Sequence, residues 1–179
     1  MLGEIREQPH ALLRLLDQER ELETIAAALA RRAPRVVRLV GHGTSDNAAS
    51  YGIYALGLLP GWTALRDSIS LTVYYDAAID FAGSAVLALS QSGQTPDVVE
   101  YVARARAGGA LTIALTNDPA SELGEAAELV LPLAAGPELA VAATKTYLNE
   151  LAALALLAGG AVGRGREVSL HSAARHVPH

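Results

Sequence analysis

The sequence predicts a three-layer α/β fold in which helices cover both faces of a doubly wound sheet of about five parallel strands. Short apolar runs alternate along the chain with longer segments of helical periodicity, and the connections between them are short. Of the 179 residues, 51% are hydrophobic and 18% are charged, which is enough apolar sequence for the core of one domain. We expect the strand order 2-1-3-4-5.

The first half of the predicted fold starts with a long helix. Apolar residues such as Leu15, Leu22 and Leu29 recur at helical spacing over residues 8–32, and Pro9 suits a first helical turn. The elements that follow are a β-branched strand over 36–40 ended by Gly41, a helix over 48–59 ended by Pro60, a weaker strand over 62–66, and a segment over 69–75 that fits a helix or a strand.

The second half alternates more clearly between strand and helix. Its elements are an apolar strand over 85–89, a helix over 96–107, a strand over 111–115, a short helix over 121–126, a strand over 128–131 and an apolar helix over 143–158. We expect residues 1–158 to form one domain with its α/β core over 35–158. Residues 159–179 are rich in glycine, arginine and histidine and are expected to be a tail or the start of a further domain. The spacing of His171, His176 and His179 fits no compact zinc site.

Composition excludes several classes of protein. A net charge of −5 argues against a nucleic-acid-binding surface, which needs a concentrated basic patch. The chain has no cysteine, so disulfides, thiolate nucleophiles and thiolate metal sites are excluded. No apolar stretch reaches the roughly 18 residues of a membrane-spanning helix, and the charged N-terminus does not resemble a secretory signal. We therefore expect a cytoplasmic protein without a nucleic-acid or membrane partner, and the sequence indicates no metal or cofactor.

Two loops at predicted strand ends carry hydroxyl and glycine residues suited to binding a ligand. GHGTSDN, residues 41–47, lets the backbone approach a ligand closely, but it lacks the third glycine of a dinucleotide-binding turn. SQSGQTPD, residues 90–97, places Ser90, Ser92 and Thr95 before a helix, whose N-terminal N–H groups and dipole attract phosphate. A helix cap needs one hydroxyl and this loop has three, so the pattern favours a phosphate site. No P-loop lysine follows, which argues against nucleoside triphosphate hydrolysis.

A third loop, AGPELAVAATKTY over residues 135–147, contains two further charged candidates. Glu138 is a lone carboxylate in apolar surroundings, and Lys145 lies in the first turns of the last helix. From spacing alone, either residue also fits a solvated surface position.

Four segments in order resemble the sugar isomerase (SIS) domain family. They are EIREQPHAL, GHGTS, SQSGQTPD and GPELAVAATKTYLNEL, and together they cover nearly the whole chain to about Ala158. Within that family they are most similar to the N-terminal SIS half of the isomerase region of the glutamine–fructose-6-phosphate aminotransferases. The resemblance implies a flavodoxin-like SIS fold that binds a sugar phosphate of the fructose 6-phosphate or glucosamine 6-phosphate class.

The resemblance also assigns roles to residues. It implies that Ser90, Gln91, Ser92 and Thr95 hold the phosphate, that Gly43, Thr44 and Ser45 complete the pocket, and that the Val141 backbone contacts the sugar. Three positions depart from the family pattern, since His42, Gln94 and Ala143 stand where a smaller residue, Glu and Ser are common. In the family, the base carboxylate comes from a second SIS domain, and a histidine of a neighbouring subunit assists ring opening.

A catalytic function and a binding function both remain open. The first is aldose–ketose chemistry on a hexose or amino-sugar 6-phosphate, with Glu138 and His42 as candidate acid–base groups and Lys145 as a substrate contact, in need of a partner for the base. The second is a non-catalytic module that senses a sugar phosphate. Glutamine-dependent amination by this chain alone is excluded, because it has no cysteine. We expect a homodimer or higher oligomer, because helix 143–158 and the apolar stripe of 8–32 offer more apolar surface than one sheet covers. The alternative is that both pack on their own sheet.

Overall fold

The structure, a computed structural model, describes residues 1–163. Its centre is one sheet of five parallel strands: β1 (Val36–Val40), β2 (Ala64–Arg66), β3 (Ser84–Ser90), β4 (Leu111–Thr116) and β5 (Leu129–Pro132). Their order in the sheet is β2-β1-β3-β4-β5, which confirms the 2-1-3-4-5 order predicted from the sequence. In the register, Leu39 pairs with Leu87, and Leu87 pairs with Ile113.

Helices cover both faces of this sheet. In chain order they are α1 (Leu2–Arg6), α2 (Gln8–Leu16), α3 (Glu19–Arg32), α4 (Thr44–Leu58), α5 (Ile69–Val73), α6 (Pro96–Ala107), α7 (Glu122–Ala126) and α8 (Lys145–Ala161). On one face α2, α3 and α4 pack against α8, and on the other α6 packs against α5 and α7. Strand residues alternate between the two cores, so that Leu87 lies in the α8 core and Val86 in the α6 core.

The single helix predicted over 8–32 is in fact two helices. α2 ends at Leu16 and α3 begins at Glu19, with Asp17 and Gln18 forming the bend between them. The Gln18 N–H bonds to the Leu15 carbonyl instead of continuing the α-helical pattern. The buried stripe runs through the bend, which lets both helices pack on α8. Hydrophobic spacing alone therefore could not reveal the break.

Other boundaries also differ from the sequence prediction. α4 begins at Thr44, four residues earlier than predicted, because the polar residues after Gly43 form its first turn. Residues 69–73 form a helix, which settles the segment left open between helix and strand. The last helix continues to Ala161, so residues 159–161 belong to α8 and not to a tail. The three C-terminal histidines lie outside the described residues.

The apolar surfaces proposed for oligomerisation are largely used inside the chain. The stripe of α2 and α3 and most of α8 are buried against each other and against the sheet. Apolar side chains are exposed instead on α4, where Tyr51, Tyr54 and Leu58 recur at helical spacing. Over residues 1–163, no helix combines the length and hydropathy needed to cross a bilayer.

Candidate functional site

The candidate site lies at the carboxyl ends of the adjacent strands β1 and β3. The chain leaves β1 toward β2 on one side and resumes at β3 on the other, so this is the point where the winding direction reverses. Ligands of open α/β sheets bind at such a point. The loop over 41–43 leads from β1 to α4, and the loop over 91–95 leads from β3 to α6. The two predicted polar loops are therefore brought together.

Both helices that begin at this edge have N-termini without a side-chain cap in the described part of the chain. Gly43 precedes α4, and Thr95 precedes α6 in extended conformation without its hydroxyl capping the helix. Pro96 occupies the first turn of α6, where the lack of an N–H has no cost. Within residues 1–163, the Ser45 N–H donates to the His42 carbonyl at 3.2 Å. The other first-turn N–H groups and the positive dipole ends of the two helices can interact with an anion at this edge.

The serine hydroxyls of the β3–α6 loop are organised by the backbone. Ser90 Oγ accepts the Gly93 N–H at 3.1 Å, and Ser92 Oγ accepts the Gln94 N–H at 3.2 Å. Thr95 Oγ1 lies 3.5 Å from Ser90 Oγ. Because both serine oxygens accept from the backbone, each hydroxyl keeps its own proton to donate elsewhere. The hydroxyl donors are therefore already oriented before an oxyanion binds.

Gly93 fixes this loop against the next strand. Its φ is +65°, and a Cβ at this position would lie 1.9 Å from Ser121 Oγ and 2.9 Å from Thr116 Oγ1. The Gly93 carbonyl accepts the Leu123 N–H at 3.0 Å, which joins the loop to α7. No other residue type fits this space without displacing the loop, so the position of the hydroxyls depends on glycine here.

Ser45 in the first turn of α4 and Glu150 on α8 form a buried pair. Ser45 Oγ and Glu150 Oε1 are hydrogen-bonded at 2.7 Å, and Glu150 lies on α8, 1% exposed. Burial raises the pKa of Glu150 to about 8, the hydrogen bond from Ser45 opposes the shift, and the charge of Glu138 adds to it. Glu150 was not identified from the sequence. The signal was a carboxylate on the apolar face of a helix otherwise rich in Ala and Leu.

His42 connects the two loops through the first turn of α6. Its Nε2 lies 2.8 Å from Asp97 Oδ2, and the Tyr74 hydroxyl donates to the same oxygen at 3.3 Å. The His42 ring is about half exposed. The charge of Asp97 raises the pKa of Tyr74, and partial burial and the hydrogen bond act in the same direction. Asp97 and Tyr74 were also missed, because nothing in the local sequence relates them to His42.

Glu138 caps the last helix. One oxygen accepts the Thr144 N–H at 2.6 Å, the Thr144 hydroxyl at 2.9 Å and the Lys145 N–H at 2.9 Å, and the other accepts the Thr146 N–H at 3.1 Å. Burial pushes the pKa of Glu138 upward, but these hydrogen bonds outweigh burial and lower it. The carboxylate is thus a fixed anion at the start of α8. Its assignment as a base stays a prediction.

Lys145 and Val141 lie on the same connection and differ in exposure. Lys145 is 1% exposed, and its Nζ binds Glu7 Oε2 at 2.5 Å, which ties α8 to the start of α2. Val141 is 97% exposed. The described contacts therefore join Lys145 to α2 and not to the serine loop, and both substrate contacts stay predictions. Within residues 1–163, no cluster of three or more His, Asp or Glu side chains could hold a metal ion.

The comparisons with known proteins decide the family. The model of the SIS domain family matches residues 31–159. The chain belongs to the SIS domain family. Glutamine–fructose-6-phosphate aminotransferases from Aeropyrum pernix and Thermus thermophilus are 40% and 39% identical to it over 169 and 171 residues. These alignments cover 92% and 93% of the chain but 27% and 28% of the two enzymes, so the chain spans little more than a quarter of their length.

Solved structures agree with this assignment. A candidate phosphosugar isomerase from Silicibacter pomeroyi is 37% identical, with a TM-score of 0.91, and the match covers 97% of this chain and 54% of that one. The C-terminal domain of the glucosamine-fructose-6-phosphate aminotransferase from Francisella tularensis shares the fold, with a TM-score of 0.77 at 24% identity over 98% of this chain and 51% of that one. The family resemblance predicted from the four sequence segments is confirmed.

Proposed function

We propose that this SIS domain binds a sugar phosphate, of the fructose 6-phosphate or glucosamine 6-phosphate class, at the edge formed by β1 and β3. The observation that carries the proposal is the pair of uncapped helix N-termini, α4 and α6, beside a loop of oriented hydroxyls. Helix N-termini and hydroxyl donors favour an oxyanion without needing a cation. The aminotransferase relatives, whose names include fructose 6-phosphate, support the choice of ligand class.

The phosphate contacts in this proposal come from both loops. Ser90, Ser92 and Thr95 donate through their hydroxyls, together with the N–H groups at the start of α6. Gln91, Gly43, Thr44 and Ser45 complete the pocket, and the Val141 backbone contacts the sugar. The oxygens of Ser90 and Ser92 accept backbone N–H groups, and these bonds do not use the hydroxyl protons. Each hydroxyl can therefore donate its proton to the ligand.

We further propose that aldose–ketose chemistry at this site depends on a group from outside the chain. Proton abstraction from C1 or C2 needs a base within about 3 Å of the proton. The candidates here are engaged, since Glu138 accepts four hydrogen bonds and His42 is paired with Asp97. A second SIS domain or a partner subunit would supply the base. The same engagement favours the alternative function, a module that binds the sugar phosphate without converting it.

Binding is tested by isothermal titration of the chain with fructose 6-phosphate. Removing two hydroxyls with Ser92→Ala and Thr95→Ala is expected to weaken binding about a hundredfold or more, at about 1.5 kcal/mol or more for each hydrogen bond to a charged group. The matched control is Thr24→Ala with Thr63→Ala, two exposed hydroxyls outside the loop, which should leave affinity unchanged. Equal affinity of the Ser92/Thr95 variant and the control would refute the proposed site.

Catalysis and sensing are separated by a second assay. Conversion of fructose 6-phosphate to an aldose phosphate is measured over a range of protein concentrations, alongside thermal stabilisation by the same ligand. Turnover that falls in the Glu138→Gln variant supports Glu138 as a base. Stabilisation without turnover at any concentration supports the sensing module.

We also propose a homodimer and a cytoplasmic location. The support for the dimer is the exposed row Tyr51, Tyr54 and Leu58 on α4, since apolar patches of this kind commonly mark interfaces. Light scattering of the wild type and of Leu58→Asp tests it. A monomer in both would contradict it.

A further inference from the structure

Glu150 is a buried carboxyl group next to the proposed site for which phosphate binding alone gives no role. One oxygen lies 2.7 Å from Ser45 Oγ, and the other, Oε2, has no hydrogen-bond partner in the described part of the chain. The residue is 1% exposed. A buried, unpartnered carboxylate oxygen is costly, and the neutral carboxyl group avoids much of that cost.

The hydrogen bond between Ser45 and Glu150 has two possible directions. An ionised carboxylate can only accept, so the Ser45 hydroxyl must then give its single proton to Glu150. A neutral carboxyl group can donate to Ser45 Oγ, which releases the Ser45 proton toward another acceptor. Ser45 lies in the uncapped first turn of α4. A Cβ on Gly41 would lie 3.1 Å from Ser45 Cβ and 2.9 Å from the Leu89 carbonyl oxygen, so Ser45 is close to the end of β3. An oxygen of a ligand bound at this edge would be the acceptor for that proton.

We propose that Glu150 is a positioning residue whose proton sets the direction of the Ser45 hydroxyl: neutral Glu150 donates to Ser45, and Ser45 donates to an oxygen of the sugar phosphate. This inference rests on the proposed function. When Glu150 ionises, the Ser45 hydroxyl donates its proton to the Glu150 carboxylate and no longer to the ligand. The ionised carboxylate also places a negative charge close to the anionic ligand. Ligand affinity must therefore fall as Glu150 loses its proton, and binding must take up a proton where Glu150 is partly ionised.

Among the charged groups around α8, Glu138 has the main electrostatic effect on Glu150. Burial raises the pKa of Glu150 to about 8, and the Glu138 carboxylate in the connection before α8 adds to the shift. Lys145 on α8 is paired with Glu7 at the start of α2. The remaining charged or titratable groups on α8 and on the helices packed against it are exposed or half-buried. They are His10, Arg14 and Asp17 on α2 and its end, Glu19, Arg20, Glu21, Glu23, Arg31 and Arg32 on α3, Tyr51, Tyr54 and Asp46 on α4, of which Asp46 pairs with Arg66, and Tyr147 on α8.

The test is the pH dependence of fructose 6-phosphate binding between about pH 7 and 9.5, measured by isothermal titration in two buffers of different ionisation enthalpy. This ligand has no amine, and its phosphate, with a second pKa of about 6, is already dianionic. With a pKa of about 8 for Glu150, the wild-type Kd should rise about 30-fold over this range if the ionised form does not bind. About half a proton should be taken up per ligand near pH 8.

Three variants distinguish the positioning role from a merely structural one. Glu150→Gln can donate to Ser45 at every pH, so its Kd should not rise with pH and no proton should be taken up. Ser45→Ala should bind more weakly at pH 7 and lose less affinity above pH 8 than the wild type. Glu23→Gln changes an exposed carboxylate on α3 and should keep the wild-type profile. Circular dichroism confirms that each variant is folded.

The outcomes separate this inference from the proposed function. A wild-type profile that is flat with pH, or a Glu150→Gln profile that rises like the wild type, overturns the role of Glu150 while sugar phosphate binding stands. A Ser45→Ala variant that loses affinity with pH as steeply as the wild type overturns the involvement of Ser45. No binding of fructose 6-phosphate by the wild type at pH 7 overturns the proposed function and this inference with it.

Discussion

Replacing Gly93 with alanine tests how the candidate site is built. Two costs add at this position. The backbone has a φ of +65°, where an alanine is strained by about 1 to 2 kcal/mol. The new methyl group would also lie 1.9 Å from Ser121 Oγ, and overpacking of this kind costs about 1 to 3 kcal/mol. We expect Gly93→Ala to lower the free energy of unfolding by about 2 to 5 kcal/mol and to displace the hydroxyls of the loop.

Gly61→Ala separates the two costs. Gly61 also has a positive φ, +71°, but a Cβ there would have no atom within 4 Å, so only the backbone cost of about 1 to 2 kcal/mol applies. Urea denaturation followed by circular dichroism gives the free energy of unfolding of both variants, and fructose 6-phosphate titration gives their affinity. Equal destabilisation of the two variants, with unchanged affinity for Gly93→Ala, would refute the steric argument.

Three further predictions concern charged groups on α8 and those in contact with it. Because the pKa of Glu150 is raised from 4.5 to about 8, the wild type loses stability as the pH rises from about 4.5 to about 8, where the unfolded chain releases this proton and the folded chain keeps it. Relative to the wild type, Glu150→Gln should therefore be more stable at pH 9 than at pH 5 by about 4 kcal/mol, as measured by urea denaturation at the two pH values. The pKa of Glu138 is lowered, so the cost of Glu138→Ala in thermal unfolding, about 1 to 2 kcal/mol at pH 7 for a lost cap, should shrink as the pH falls below the ordinary glutamate value. Glu7→Ala leaves the buried Lys145 unpaired and should lower the urea midpoint more than Lys145→Met does. The reason is that an unpaired buried charge is costly, whereas Lys145→Met removes that charge and leaves the half-exposed Glu7 in solvent. Each of these three predictions is contradicted if the measured difference in stability has the opposite sign.

The sheet could be predicted from the sequence because its signal is local. Strands such as 36–40 and 85–89 are short apolar runs that end in glycine or serine, and the helices between them force parallel pairing. The hydroxyl loop after β3 could be predicted for the same reason, since its residues are consecutive and the fold rule places them at the ligand-binding edge.

The interactions that organise the site are not local and could not be predicted. Ser45 and Glu150 are 105 residues apart in the chain, and His42 and Asp97 are 55 apart. A pattern in a single sequence does not show which side chains far apart in the chain are in contact in the folded protein. Glu138 stands out in the sequence as a lone carboxylate in apolar surroundings, but its capping of α8 depends on the turn that brings it back to Thr144.

The most direct test of sugar phosphate binding at the β1–β3 edge is a titration of the ¹⁵N-labelled chain with fructose 6-phosphate, followed through its backbone amide signals. The largest shifts should occur at Gly93, Gln94, Asp97 and Val98 around the start of α6, with smaller shifts at Ser45. Saturable shifts confined to residues away from these two helix N-termini, or no shifts at millimolar ligand, would contradict the account.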